Sequence, residues 1–364
     1  MRHNAARMTF SFVMTGGGTG GHVIPALAVA RVLHERGHRV LFIGTKDGME
    51  ARLVPEAGFE IEFIRSGGLK RVSLLKRLQT AARLPLGLAA SSAILRRMRP
   101  GAVFSTGGFV AGPVAVSALL ARTPLVVMEP NAVPGFANRK IGKRVYRALL
   151  GFEEAKNWFP ASKSEVTGLP VRPEFFSNQP KQGGRFTVLI TGGSQGSRTL
   201  NRAARESWPV FRESGSPLRI IHQTGASEYE GLAAEFRETG LEGDVVPFIR
   251  NMPAAFREAD LVVGRAGAGA VNEIAAAGMA SVLVPFPFAA DDHQRRNAEA
   301  MSRAGAARMV LDAELSGERL FAEIESLRKD PESLGRMREN VKRFARPGAA
   351  ERAADVLEEA ATKR

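Results

Sequence analysis

The sequence predicts an α/β protein of two domains, each built on a parallel sheet with helices over both faces. Three observations carry this. Short apolar runs alternate with amphipathic stretches almost throughout, the pattern of repeated strand–helix–strand units. The alternation falls into two series, and both open alike: residues 10–14 feed the turn TGGGTGGH, and residues 185–190 feed TGGSQGS. A chain of 364 residues also exceeds the usual size of one hydrophobic core, so two domains are the default.

In the first series the apolar run at 10–14 is a strand. The stretch after its turn places Val23, Leu27, Ala30 and Leu33 at helical spacing and stops at Gly37. Strands follow at 39–44, 59–64, 102–105, 125–128 and 145–150. The uncharged stretch 100–121 has the length of a membrane span, but its four glycines and two prolines mark strand, turn and helix instead. A break comes at Gly168-Leu169-Pro170, and 172–184 reads as a linker. The second series places strands at 185–190, 218–222, 245–249, 261–264 and 281–285. The last twenty residues, with Ala350, Ala353, Val356 and Leu357 on one face, form a terminal amphipathic helix.

Composition narrows the chemistry. The chain contains no cysteine, which removes disulfides, thiolate nucleophiles and Cys-ligated metal centres and suits a reducing compartment. Residues 1–14 hold basic residues and one short apolar run, so no secretion signal is expected. A formal net charge of +14 points to an anionic partner. That excess is local: no acid lies between Glu62 and Glu129, whereas Arg65, Lys70, Arg71, Lys76, Arg77, Arg83, Arg96, Arg97, Arg99 and Arg122 do.

A strand, a glycine cluster and a helix start make an anion site, because glycine admits close backbone approach and the helix N-terminus offers unpaired N–H groups. The arrangement occurs at 15–22, 105–112 (STGGFVAG), 191–197 and 264–269 (GRAGAG). Gly16, Gly18 and Gly21 also satisfy a dinucleotide fingerprint, with Asp47 as the ribose acid, which is an oxidoreductase reading. Similar turns in both halves fit better a ligand held between two domains, as sugar transfer from a nucleoside diphosphate requires. His22, at the start of the first helix, is either the base that takes an acceptor proton or a cap on the turn. No Asp-x-Asp pattern is present; a cation would have only Asp291 and Asp292.

The segments GGGTGGHVIPALAVA, STGGFVAGP, EPNAVPGFAN, GLPVR, TGGSQGSRTLN and RAGAGAVNEIAAAGMASVLVPFPFAADDHQRRNA occur in order over residues 16–298. Together they resemble the MurG family of peptidoglycan N-acetylglucosamine transferases. The resemblance implies a GT-B fold, two Rossmann-like domains facing a central cleft. It implies inverting, metal-independent and cofactor-free transfer of N-acetylglucosamine from UDP-N-acetylglucosamine to the C4 hydroxyl of undecaprenyl-pyrophosphoryl-N-acetylmuramyl pentapeptide. By the same resemblance, residues 1–170 with the helix at 346–364 take the acceptor and the membrane, and 171–345 take the UDP-sugar. Donor contacts are implied at Thr19, Gly20, Gly21, Asn131, Arg172, Ser194 and Gln294. Ile249 is implied against the uracil, and Glu273 on the ribose. The chain departs from the family at Met128, Pro130 and Leu169, so no catalysis is expected at 128, and the family's contacts at 130 and 169 are expected to be lost or replaced.

Between Leu69 and Met98, Leu74, Leu75 and Leu78 share one helical face, with Lys76, Arg77 and Arg83 away from it. With the absence of acids there and the lipid-linked acceptor that the resemblance implies, peripheral association with the anionic, cytoplasmic face of the cell membrane is expected. Nucleic acid is not, because interleaved aromatics are missing. A UDP-N-acetylglucosamine epimerase, which would use the same donor grip, and a non-catalytic sensor stand as the alternatives.

Overall fold

The structure, a computed structural model, describes residues 8–18, 20–66, 74–177, 181 and 183–363, with backbone alone for 74–83. The chain divides into two compact units. One comprises Met1–Pro170 with Gly348–Arg364, the other Val171–Pro347.

The first unit holds strands β1 (Ser11–Thr15), β2 (Arg39–Gly44), β3 (Glu60–Phe63), β4 (Ala102–Ser105), β5 (Leu125–Glu129), β6 (Arg147–Leu150) and β7 (Ser164–Val166). They pair in the order β3-β2-β1-β4-β5-β6-β7, and every pair is parallel. The second unit holds β8 (Phe186–Thr191), β9 (Leu218–Gln223), β10 (Glu242–Val246), β11 (Leu261–Gly264), β12 (Ser281–Leu283) and β13 (Arg308–Met309). Their order is β10-β9-β8-β11-β12-β13, again all parallel. Each sheet thus has the doubly wound order in which the chain starts at the centre, runs to one edge and returns to build the other.

Central strands covered on both faces must be apolar at nearly every position. Phe12, Val13 and Met14 of β1, and Val188, Leu189 and Ile190 of β8, are all fully buried. In the first unit Val13, Ile43, Val103 and Val127 join one core with Val114 and Ala118 of the helix Ala111–Leu120. In the second, Trp208 and Phe211 of the helix Arg198–Ser214 pack over the sheet, and Trp208 meets Phe236 edge-on at 5.2 Å.

The edges depart from expectation. The strand read at 245–249 lies instead at Glu242–Val246. As an edge strand it tolerates charged residues, and Gly243 brings its backbone so close to β9 that a Cβ would stand 2.0 Å from the Ile220 carbonyl oxygen. Ile249 therefore lies in the loop beyond the strand. β7 and β13 went unread, being three and two residues long and only half-buried. The linker at 172–184 contains a short helix, Pro173–Phe176, with proline at its first turn. Phe175 is fully buried and meets Phe256 edge-on at 5.2 Å, so this stretch begins the second unit's core rather than forming a tether.

The terminal helix is Ala349–Thr362, and it packs on the helix Gly20–Glu35 of the first unit. Arg36 donates to Asp355 at 2.7 Å and Glu358 at 3.1 Å, and Arg352 grips Glu165 with two bonds of 2.7 and 2.9 Å. The Phe10 N–H donates to His38 Nδ1 at 3.2 Å, so Nε2 carries the ring proton and donates it to Glu358 at 2.7 Å. Replacing Glu358 by Ala leaves that buried N–H unpaired, a cost of about 1–3 kcal/mol. Scanning calorimetry is expected to show the first unit's midpoint lowered by a few degrees; an unchanged midpoint would mean that the helix is held by its apolar face alone.

Candidate active site

In a doubly wound sheet, ligands bind beyond the carboxyl ends of the strands, where the strand order reverses. The reversal lies between β1 and β4 in the first unit and between β8 and β11 in the second. The four glycine turns leave from these four strands.

In the first unit the turns after β1 and β4 pack into each other. A Cβ on Gly16 would fall 1.8 Å from Thr106 Oγ1, and one on Gly108, whose φ is +86°, would fall 2.3 Å from the Gly17 carbonyl oxygen. No other residue fits such an approach. Gly20 and Gly21 open the helix Gly20–Glu35; Thr19 lies outside the described residues. His22 is half-buried. Its Nδ1 stands 2.7 Å from the Thr106 carbonyl oxygen, and the Thr106 hydroxyl donates to the His22 carbonyl at 2.8 Å. A carbonyl can only accept, so Nδ1 carries a proton, and in the neutral form of the ring the lone pair is on Nε2. That is the tautomer a general base needs.

Beyond the end of β5, Asn131 donates its backbone N–H at 3.0 Å and its side-chain amide at 3.2 Å to one oxygen of Glu129. The other oxygen accepts from Gly135 N–H at 3.0 Å and Asn138 Nδ2 at 2.9 Å. Burial pushes the Glu129 carboxyl above the usual carboxylate range against the pull of these bonds. Glu129 thereby orients the Asn131 amide, a function that sequence reading missed. Met128 is fully buried and Leu169 nearly so. Asp47, the candidate ribose acid of the oxidoreductase reading, is exposed beyond β2.

In the second unit one guanidinium ties the loops together. Arg265, just after β11, donates to the carbonyls of Val284 at 3.1 Å and Pro285 at 3.3 Å. It also reaches Asp312 at 2.5 Å and Ser197 Oγ at 2.6 Å. Ser197 caps the helix Arg198–Ser214, so Arg265 joins the turns after β8, β11 and β12. Ser194 is exposed within the turn after β8. Gln223, at the end of β9, donates to the neighbouring Gly193 carbonyl at 2.7 Å and accepts the Ile249 N–H at 3.0 Å. Ile249, though outside its predicted strand, is thus held beside the turn that carries Ser194.

Gln294 accepts from Ala266 N–H at 3.2 Å and Phe286 N–H at 3.0 Å through its carbonyl oxygen, which leaves its amide N–H groups as the reach toward a ligand. Before it, Asp291 and Asp292 both hold left-handed backbone, with φ of 51° and 57°, a strain that recurs at functional turns. Glu273 is half-buried on the helix Ala268–Ala276; burial pushes its carboxyl up to about 7, with the charge of Arg172 pulling it back. Arg172 is exposed, and its guanidinium lies over the Phe175 ring at 5.0 Å. The predicted residues therefore form two groups. Gly20, Gly21 and His22, with Asn131 two strands further along the sheet, belong to the first unit, and Arg172, Ser194, Ile249, Glu273 and Gln294 to the second. Arg265 and Gln223 were not singled out from the sequence; their one signal was position at a strand's carboxyl end.

Two Rossmann-like units, each with paired glycine turns at the switch point of its sheet, define a glycosyltransferase of the GT-B class. Family models place it within that class. The N-terminal domain of glycosyltransferase family 28 matches residues 12–150 and its C-terminal domain residues 187–353, so the chain belongs to glycosyltransferase family 28. It is 58% identical over 352 residues, 96% of each chain, to the UDP-N-acetylglucosamine–N-acetylmuramyl-(pentapeptide) pyrophosphoryl-undecaprenol N-acetylglucosamine transferase of Solibacter usitatus. The transferase of the same name from Halorhodospira halophila is 42% identical, covering 96% of this chain and 98% of that one. Among solved structures, the crystal structure of Acinetobacter baumannii MurG is similar with a TM-score of 0.81 at 32% identity, covering 96% of this chain and 99% of that one. The activity of a family 28 glycosyltransferase is hexosyl transfer, which replaces the oxidoreductase reading.

Lysine carries the charge of arginine but cannot reproduce its planar fork of donors. Arg265→Lys is therefore expected to lower the stability of the second unit by roughly 1–3 kcal/mol. Calorimetry reads this as a lowered midpoint for that unit; a midpoint equal to the parent's would mean that the fork does not hold the loops.

Proposed function

We propose that this chain transfers N-acetylglucosamine from UDP-N-acetylglucosamine to the C4 hydroxyl of undecaprenyl-pyrophosphoryl-N-acetylmuramyl pentapeptide, at the cytoplasmic face of the cell membrane. The observation that carries this reading is the 58% identity, over 96% of both chains, to a relative named for that transfer. In the proposed reaction His22 Nε2 takes the proton of the C4 hydroxyl as its oxygen attacks the anomeric carbon. The bond from that carbon to the diphosphate breaks on the opposite face, so the configuration inverts and UDP leaves. Backbone N–H groups at the glycine turns, including Gly20, Gly21 and Thr19, and the Arg172 guanidinium offset the charge left on the diphosphate. Asn131 and Gln294 contribute amide donors for the sugar, and Ser194 a hydroxyl. The uracil lies against Ile249, and ionised Glu273 accepts from the ribose hydroxyls.

The proposed division of labour assigns the acceptor to the first unit and the donor to the second. No helix among the described residues is long and apolar enough to cross a membrane. The lipid-linked acceptor would then be reached by surface association through the acid-free basic stretch. Lys76, Arg77 and Arg83 lie on the helix Leu74–Met98, outside the described side chains. The epimerase reading has less support. A putative UDP-N-acetylglucosamine 2-epimerase from Listeria monocytogenes shares the fold, with a TM-score of 0.69, at only 12% identity.

Three measurements test the reading. His22→Ala is expected to lower kcat by about a hundredfold or more while UDP-N-acetylglucosamine binds unchanged; near-parental turnover would overturn the base assignment. Glu273 is neutral below about 7 and ionised above it. Donor affinity, measured by titration calorimetry, should therefore rise as the pH goes from 6 to 8 and stay flat in Glu273→Gln; a parent profile as flat as the variant's removes Glu273 from the ribose. Flotation with anionic liposomes should capture the parent and lose the triple replacement of Lys76, Arg77 and Arg83 by Glu. Equal capture would sink the membrane assignment.

A further inference from the structure

Glu50 has no part in the proposed chemistry, yet it is a carboxylate only 1% exposed, directly behind the first glycine turn. It opens the short helix Glu50–Glu56, after the loop that follows β2. One oxygen accepts the Gly18 N–H at 2.9 Å. The other accepts the Thr45 N–H at 3.0 Å and the Thr45 hydroxyl at 2.8 Å. Burial alone would push this carboxyl up, but the bonds from Gly18, Thr45 and its own backbone N–H hold it below the usual range. The chain is cut away around it: a Cβ on Gly17 would fall 2.4 Å, and one on Gly48 2.1 Å, from its carboxylate oxygens.

A buried charge is tolerated only where it is fully hydrogen-bonded, and here the Gly18 and Thr45 donors come from the two loops after β1 and β2. The turn after β1 is thus held from behind by Glu50. On its other side Thr106 fixes the first turn of the helix through both the His22 carbonyl and the His22 ring. We propose that Glu50 is a positioning residue for transfer: by anchoring Gly18 it sets the entry of the helix Gly20–Glu35 and so aims His22 Nε2 at the acceptor hydroxyl. This rests on the function proposed above. It adds that the base is oriented by two anchors, Thr106 at the ring and Glu50 at the turn.

Glu50→Gln keeps the side chain's size but turns one acceptor into an N–H donor that faces other donors. Two readouts are taken on the full chain. Amide hydrogen exchange of the peptide spanning 14–24 is expected to be about 10- to 100-fold faster at Gly18 than in the parent. Turnover with lipid acceptor is expected to fall at least about tenfold in kcat, with the donor dissociation constant changed far less, because most of the proposed grip on the uridine lies in the second unit. Thr45→Val removes one of the four hydrogen bonds at this carboxylate and should move both readouts less, in the same direction; it also serves if Glu50→Gln folds poorly. Parental exchange at Gly18, or parental kcat in a folded variant, overturns the proposal. A parent that transfers no sugar to the lipid acceptor would sink the functional reading instead, and the exchange measurement would still decide whether Glu50 holds the turn.

Discussion

The site depends on one constraint: in each sheet the two central strands run parallel and side by side, so their carboxyl ends release two loops at one spot. Loops that leave from adjacent strands, about 4.8 Å apart, have no room for side chains between them. That is why Gly16 lies against Thr106 and Gly108 against Gly17 with no space for a Cβ. The resulting backbone carries helix N-termini and unpaired N–H groups to a single place, which is what a negatively charged leaving group requires. The same constraint acts on different partners in the two units. In the first the loops are locked by a threonine and a carboxylate, in the second by an arginine whose fork spans three loops.

This division has an electrostatic logic. The second unit pairs cations with acids around its turns, Arg265 with Asp312 and Arg172 near Glu273, and adds the amide of Gln294. The first unit buries two carboxyl groups, Glu50 and Glu129, beside its turns. Each accepts from several donors of the surrounding backbone and side chains, and so orders a loop. In the same unit the Thr106 carbonyl selects the tautomer of the His22 ring.

Much of the architecture was legible because central strands and their turns are local features. An apolar run followed by glycines identifies β1 and β8 wherever they occur, and 39–44, 102–105 and 261–264 matched their strands end to end. Edge strands were not legible in the same way. β10 carries Glu242 and Asp244 because its outer side meets solvent, and β7 and β13 are too short to show alternation. Phe175 read as a linker residue because its burial against Phe256 depends on a partner 81 positions away. Of the candidate site, glycines, histidine and arginine could be found by motif. Glu50, Gln223 and Arg265 could not, since their meaning lies in bonds to residues 32, 26 and 68 positions distant.

The terminal helix at Ala349–Thr362 has a consequence for biosynthesis. The first unit is discontinuous in sequence: residues 1–170 are made first, but their outer helix stays uncovered until the whole second unit and the segment after it have been translated. Until then His38 lacks Glu358, Arg36 lacks Asp355, and the apolar face awaiting Val356 and Leu357 is open to other chains. The order of synthesis therefore makes the first unit's completion a report on the second's, and a nascent chain that stalls early presents this face to chaperones and proteases.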